Sequence, residues 1–63
     1  MPVYMRVRTY LEEKNLDVVD VAEMAGIDPV HFEEMMDGIS PMFAEDIRAI
    51  CLALDVSANN FLA

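Results

Sequence analysis

Apolar residues recur along this chain at helical rather than alternating spacing. Val3, Val7, Tyr10 and Leu11, with Tyr4 beside them, repeat every three or four residues as far as Lys14. Pro2 suits the start of such a helix, where its missing amide donor is not needed. The spacing predicts a first helix from Val3 to Lys14, ended by Asn15, a residue that tolerates the left-handed backbone. Leu16 is expected to drop into the core as the chain turns.

The same punctuation repeats three more times. Asp17 is a good N-cap, Asp20 places a negative charge in the following first turn, and Val18, Val21, Ala22 and Ala25 make an inward stripe. Gly26 allows a sharp turn and Ile27 plugs the corner. Asp28 and Pro29 then start a short helix with Phe32, Met35 and Met36 facing inward, and Gly38 ends it. On its other side Glu33 and Glu34 each sit one turn from Asp37, like-charge pairs that cost roughly 0.2–0.5 kcal/mol apiece.

Ser40 and Pro41 give a further cap-then-proline signal near the start of a fourth helix, whose predicted core stripe is Phe43, Ile47, Ile50, Cys51 and Leu54. Asp55 and Val56 form the next connection. Ser57 caps a last short helix from Ala58 to Leu62, with Phe61 or Leu62 closing the base of the core. No alternating strand pattern, linker, repeat or low-complexity segment interrupts the series, so residues 1–63 read as one all-α domain.

Composition sharpens this picture. A domain of 63 residues has much surface and little interior, yet 56% of its residues are hydrophobic, so some must be exposed or covered by a partner. The dense apolar run Ala49 to Leu54 is far too short to span a bilayer. Self-association, a homodimer for instance, is the economical expectation, and Val19, Met24, Ile39 and Leu52 are the candidates for an apolar interface. The lone Cys51 excludes a disulfide staple within the chain, lies on the predicted core stripe, and with the absence of a signal segment points to a reducing cytoplasm.

Charge narrows the partners. The net charge is −8, with twelve acids against Arg6, Arg8, Lys14 and Arg48. Glu12 and Glu13 precede Lys14 and Asp55 follows Arg48, so the other nine acids fall in a span that holds no Lys or Arg at all. Such a surface repels nucleic-acid phosphates and anionic lipid, and favours a protein partner with a basic or apolar surface.

As a set, VRTYLEEKNL, DVVDVAEMAGID, a short helix ending in DG, and IRAICLALDVSANNFL resemble the phage-repressor type of helix-turn-helix domain, also called Xre-type or lambda-repressor-like. The likeness covers Met5 to Leu62 and rests on the joint spacing of Ala22, Gly26, Ile27, Phe32, Gly38, Ile47, Ile50, Leu54 and Val56. It implies a compact five-helix fold in which the helix from Asp28 to Asp37 is the recognition helix and enters the major groove. Carried over by position, Asp28, Pro29, Val30, His31, Glu33 and Glu34 would face the groove.

Three departures from that family pattern matter. Val18 stands where the family often has a phosphate-contacting Gln, and Leu11 and Met36 stand where many members pair an Arg with a Glu. The groove-facing positions carry carboxylates and apolar groups, whereas DNA affinity comes largely from Lys and Arg neutralising phosphates. A Glu can accept from cytosine N4, but phosphate contacts would still be needed to hold the helix in place.

The expected function is therefore that of a transcription-regulator-like helix-turn-helix protein acting through protein contacts, as an anti-repressor, co-regulator or assembly module. Its expected partner-binding residues are Asp28, Val30, His31, Glu33, Glu34 and Asp37. The alternative is a sequence-specific DNA-binding repressor using the same residues. A plainer reading competes with both: an acidic helix face keeps a small protein soluble, and six methionines fill gaps in cores. An enzyme is not expected, because one Cys, one His and two cap-position serines form no catalytic constellation, and no metal or cofactor motif is present.

Overall fold

A computed structural model of the chain describes residues 2–62, which form five α-helices and no strand. α1 spans Val3–Glu13, α2 Val18–Ala25, α3 Pro29–Met36, α4 Ala44–Leu54 and α5 Asn59–Leu62. α2 packs against both α3 and α4, while α1 packs against α3 and α5. The body measures 27 × 22 × 21 Å.

The first four helices all stop by one device. Asn15, Gly26, Gly38 and Asp55 hold positive φ angles of 57°, 74°, 77° and 56°. The amide after each bends back to a carbonyl five residues earlier: Leu16 to Leu11, Ile27 to Ala22, Ile39 to Glu34 and Val56 to Cys51, at 2.9–3.0 Å. This is the bonding of a Schellman motif, which satisfies carbonyls that a helix end leaves without partners. At Gly38 glycine is needed twice over, since a Cβ there would also lie 2.7 Å from the Tyr4 ring.

The starts are as local as the stops. Asp17 accepts the Val19 amide at 2.8 Å, Asp28 the His31 amide at 3.1 Å, and Ser57 Oγ the Asn59 amide at 3.2 Å. α4 begins differently, with the Asp46 carboxylate reaching back to accept the Phe43 amide at 3.0 Å. That is the reciprocal half of a capping box, without a side-chain acceptor at the N-cap itself.

The core draws on every helix: Val7 and Leu11 from α1, Val21 and Ala22 from α2, Phe32, Met35 and Met36 from α3, Ile47, Ile50 and Cys51 from α4, and Phe61 from α5. No polar or charged side chain is buried among the described residues. Tyr10 meets Phe61 edge-on, ring centroids 5.6 Å apart at 89°, which ties the four-residue α5 to α1. No helix is long and apolar enough to cross a membrane among the described residues.

Three expectations are corrected. Leu16 does not enter the core; its amide is used to close α1, and its side chain, 40% exposed, lines a shallow groove with Leu11, Val18 and Met36. Ser40 and Pro41 do not start α4, which begins at Ala44, and the Ser40 hydroxyl instead donates to Glu34 at 3.5 Å. Phe43 consequently precedes the helix with an extended backbone and lies 59% exposed, while Met42 packs against the core. Leu62 is exposed too, leaving Phe61 to close the base.

Candidate partner-binding surfaces

α3 buries three of its eight residues, and these define what the rest can do. At about 100° per residue, Phe32, Met35 and Met36 occupy one arc, and the opposite arc carries Val30, Glu34 and Asp37, with Glu33 and His31 on its two flanks. Val30 is 69% exposed at the centre of this arc. Pro29 is half-buried at the first helical position, beside the exposed cap Asp28.

The carboxylates of this face have different neighbours. Glu34 is half-buried; it accepts from Ser40 Oγ and lies 3.8 Å from His31 Nδ1. Asp37 turns towards α1, where Arg8 Nη1 approaches to 3.6 Å, and the same Arg8 stands 4.0 Å from Glu12. The expected repulsion of Glu33 and Glu34 on Asp37 is thus countered by a cation from another helix. Asp28 is used on its own helix end, and Glu33 borders the shallow groove between α1 and α3. Leu11 and Met36 are both buried beside that groove.

Val19, Met24, Ile39 and Leu52 are all exposed, spread over α2, the turn after α3, and α4. Val19 and Met24 are five residues apart on α2, hence about 140° apart around its axis, on opposite flanks of the buried stripe. Ile39 follows the left-handed Gly38, and Leu52 stands on the outer side of α4.

Leu52 instead belongs to a feature that sequence reasoning missed. A groove of about 560 Å³ runs between α4 and α5, floored by Ala44, Ile47, Cys51, Val56 and Ala58 and rimmed by Leu52, Leu62, Arg48 and Asp55. Its signal in the sequence was the outward Leu52 of α4, but the other wall depends on where α5 packs. Cys51 is buried there, and desolvation raises its thiol pKa above the ordinary value. No cluster of three or more His, Cys, Asp or Glu side chains suited to a metal ion exists among the described residues.

Compared with protein-family models, curated proteins and solved structures, the chain matches none of them.

Proposed function

We propose that this chain is a helix-turn-helix domain of the lambda-repressor-like type whose recognition helix, α3, binds protein instead of DNA. The support for the architecture is the five-helix order together with the tight, glycine-closed turn from α2 into an aspartate-capped α3. The support for the partner is one observation: the solvent arc of α3 sets an exposed Val30 among Asp28, Glu33, Glu34 and Asp37, with Arg8 the single cation at its edge.

Electrostatics decides between the two occupants. Phosphates laid along this arc would meet four carboxylates and a single guanidinium already shared by Glu12 and Asp37, which leaves little counterion release to hold DNA. A basic protein surface with an apolar contact at its centre meets the same arc favourably, and exposed charges of opposite sign steer its approach. In this reading the domain is a binding module, serving as anti-repressor, co-regulator or assembly element, and it catalyses nothing.

Two titrations test it. Random and mixed-sequence DNA duplexes at low salt should show no binding at tens of micromolar, on the order of the weakest non-specific DNA binders. A probe helix of alternating Lys and Leu turns should shift the amide resonances of Val30, Glu33 and Glu34, and the shifts should fade with added salt. Micromolar DNA binding with a steep salt dependence would overturn the proposal.

A further inference from the structure

α4 carries more apolar surface than a helix lying on one core requires. Ile47 and Ile50 are used inward, yet Leu52 stands 76% exposed and Leu62 of α5 stands 56% exposed across the groove from it. Arg48 and Asp55 lie on the same rim. The cations elsewhere are engaged: Lys14 lies over the Tyr10 ring, Arg8 pairs with Glu12 and Asp37, and Arg6 has an interaction of its own. Arg48 has no ion pair, hydrogen bond or ring contact among the described residues.

We propose that this face is where two copies of the chain meet, related by a two-fold axis that passes between Cys51 and Leu52. Arg48 lies three residues before Cys51 and Asp55 three residues after Leu52. When α4 packs antiparallel on its mate about that axis, each Arg48 therefore meets the Asp55 of the second copy. At about 100° per residue, Arg48, Cys51 and Leu52 share one stripe of the helix, and Asp55, which caps its end, lines the same groove, so one packing brings all four into contact. Leu52 of each copy then enters the groove of the other beside Cys51, an isologous arrangement in which plug and socket lie on one surface.

Charge selects the second copy over a foreign partner. An acidic segment in the groove would satisfy Arg48 and oppose Asp55, and a basic one would do the reverse; only a face carrying the same pair in reversed order satisfies both. The solvent arc of α3 has no such balance and takes no part. This inference stands independently of the protein-binding reading of α3.

A standard interface covers about 800 Å² per partner, roughly a fifth of this domain's 4085 Å² surface. Two short helices supply less, and the dissociation constant should be on the order of 10–100 μM. Sedimentation of the full chain from about 10 μM to about 1 mM spans that range. The wild type should shift from monomer to dimer, and Leu52→Asp should weaken the dimer about tenfold or more. Arg48→Asp and Asp55→Lys should each weaken it too, whereas mixing those two variants should restore association by pairing each altered residue with its complement. Asp55→Asn, which keeps a side chain suited to the φ of 56°, serves as a second probe and should weaken the dimer without changing the circular dichroism. Glu33→Lys should leave the dimer untouched. A wild type that stays monomeric at about 1 mM overturns the proposal, as does a dimer indifferent to Leu52→Asp or a mixture no tighter than its components.

Discussion

The outer arc of α3 and the rim of the α4–α5 groove are both exposed apolar spots on an acidic domain, and they differ in how charge surrounds them. Around Val30 the carboxylates of Asp28, Glu33, Glu34 and Asp37 are of one sign, so two copies of that arc repel each other. Around Leu52 a cation and an anion, Arg48 and Asp55, lie on opposite sides of the spot. The first pattern suits a basic partner and the second suits itself. A hydrophobic share of 56% and a net charge of −8 report only the sum of the two, which is why composition leaves self-association and foreign contacts undivided.

The two regions also differ in how much of the fold hangs on them, and the largest expected effect probes this. Phe32 is fully buried on the inner side of α3, and Phe32→Ala should cost about 3–5 kcal/mol. At roughly 0.05–0.15 kcal/mol per residue a domain this small has little more than that to lose, so thermal unfolding should move to or below room temperature. Leu52→Ala at the groove rim should stay within about 0.5 kcal/mol of wild type. Comparable losses from both variants would mean that α4's outer stripe is already covered within the monomer.

A smaller effect separates the two glycines that flank α3. Gly26→Ala meets open space and bears only the strain of a left-handed alanine, about 1 kcal/mol. Gly38→Ala bears that strain and must also displace the Tyr4 ring, so it should lose more. In a Tyr4→Leu background the excess should vanish, and denaturant titrations of the four proteins would reveal whether α1 really lies against the end of α3.

On the groove side the matching probe is pH. The folded-state pKa of Cys51 is raised by burial, so the thiol holds its proton more tightly folded than unfolded. Its contribution is complete below the unfolded value of 9.0 and is lost as pH rises through the higher folded one. Wild type should therefore lose stability relative to Cys51→Ala on going from pH 8 into the alkaline range, other titrations being common to both proteins. A constant difference across that range would indicate a thiol in contact with water.

How far these regions were legible depends on the range of the forces that make them. Each helix stop is local: Asn15–Leu16, Gly26–Ile27, Gly38–Ile39 and Asp55–Val56 pair a residue suited to positive φ with an apolar one, and all four turns were readable as such. The buried stripe of α3 was equally plain. Phe43 was not, because the cap-then-proline signal at Ser40–Pro41 left the start of α4 open, and the Asp46 carboxylate sets it at Ala44, with Phe43 just outside the helix. Neither was the bond from Arg8 to Asp37, which joins residues far apart in the chain, nor the groove, whose walls come from two helices.

That Arg8–Asp37 contact gives a small expected change in stability and the finest test of the comparison. Both side chains are more than half exposed, so Arg8→Ala should alter folding stability by only about 0.2–1 kcal/mol. Its effect on binding should be larger in kind, because it strips the one cation from the edge of the acidic arc. A Lys- and Leu-rich probe helix should then bind α3 more tightly than it binds wild type, while the dimer through α4 and α5 stays as it was. Asp37→Asn should weaken the probe by the same logic, since it removes an anion from the arc and leaves Arg8 at its edge paired only with Glu12. If Arg8→Ala weakened the probe instead, the arc would be reading something other than positive charge, and the contrast between a one-sign surface and a balanced one would no longer explain what each region binds.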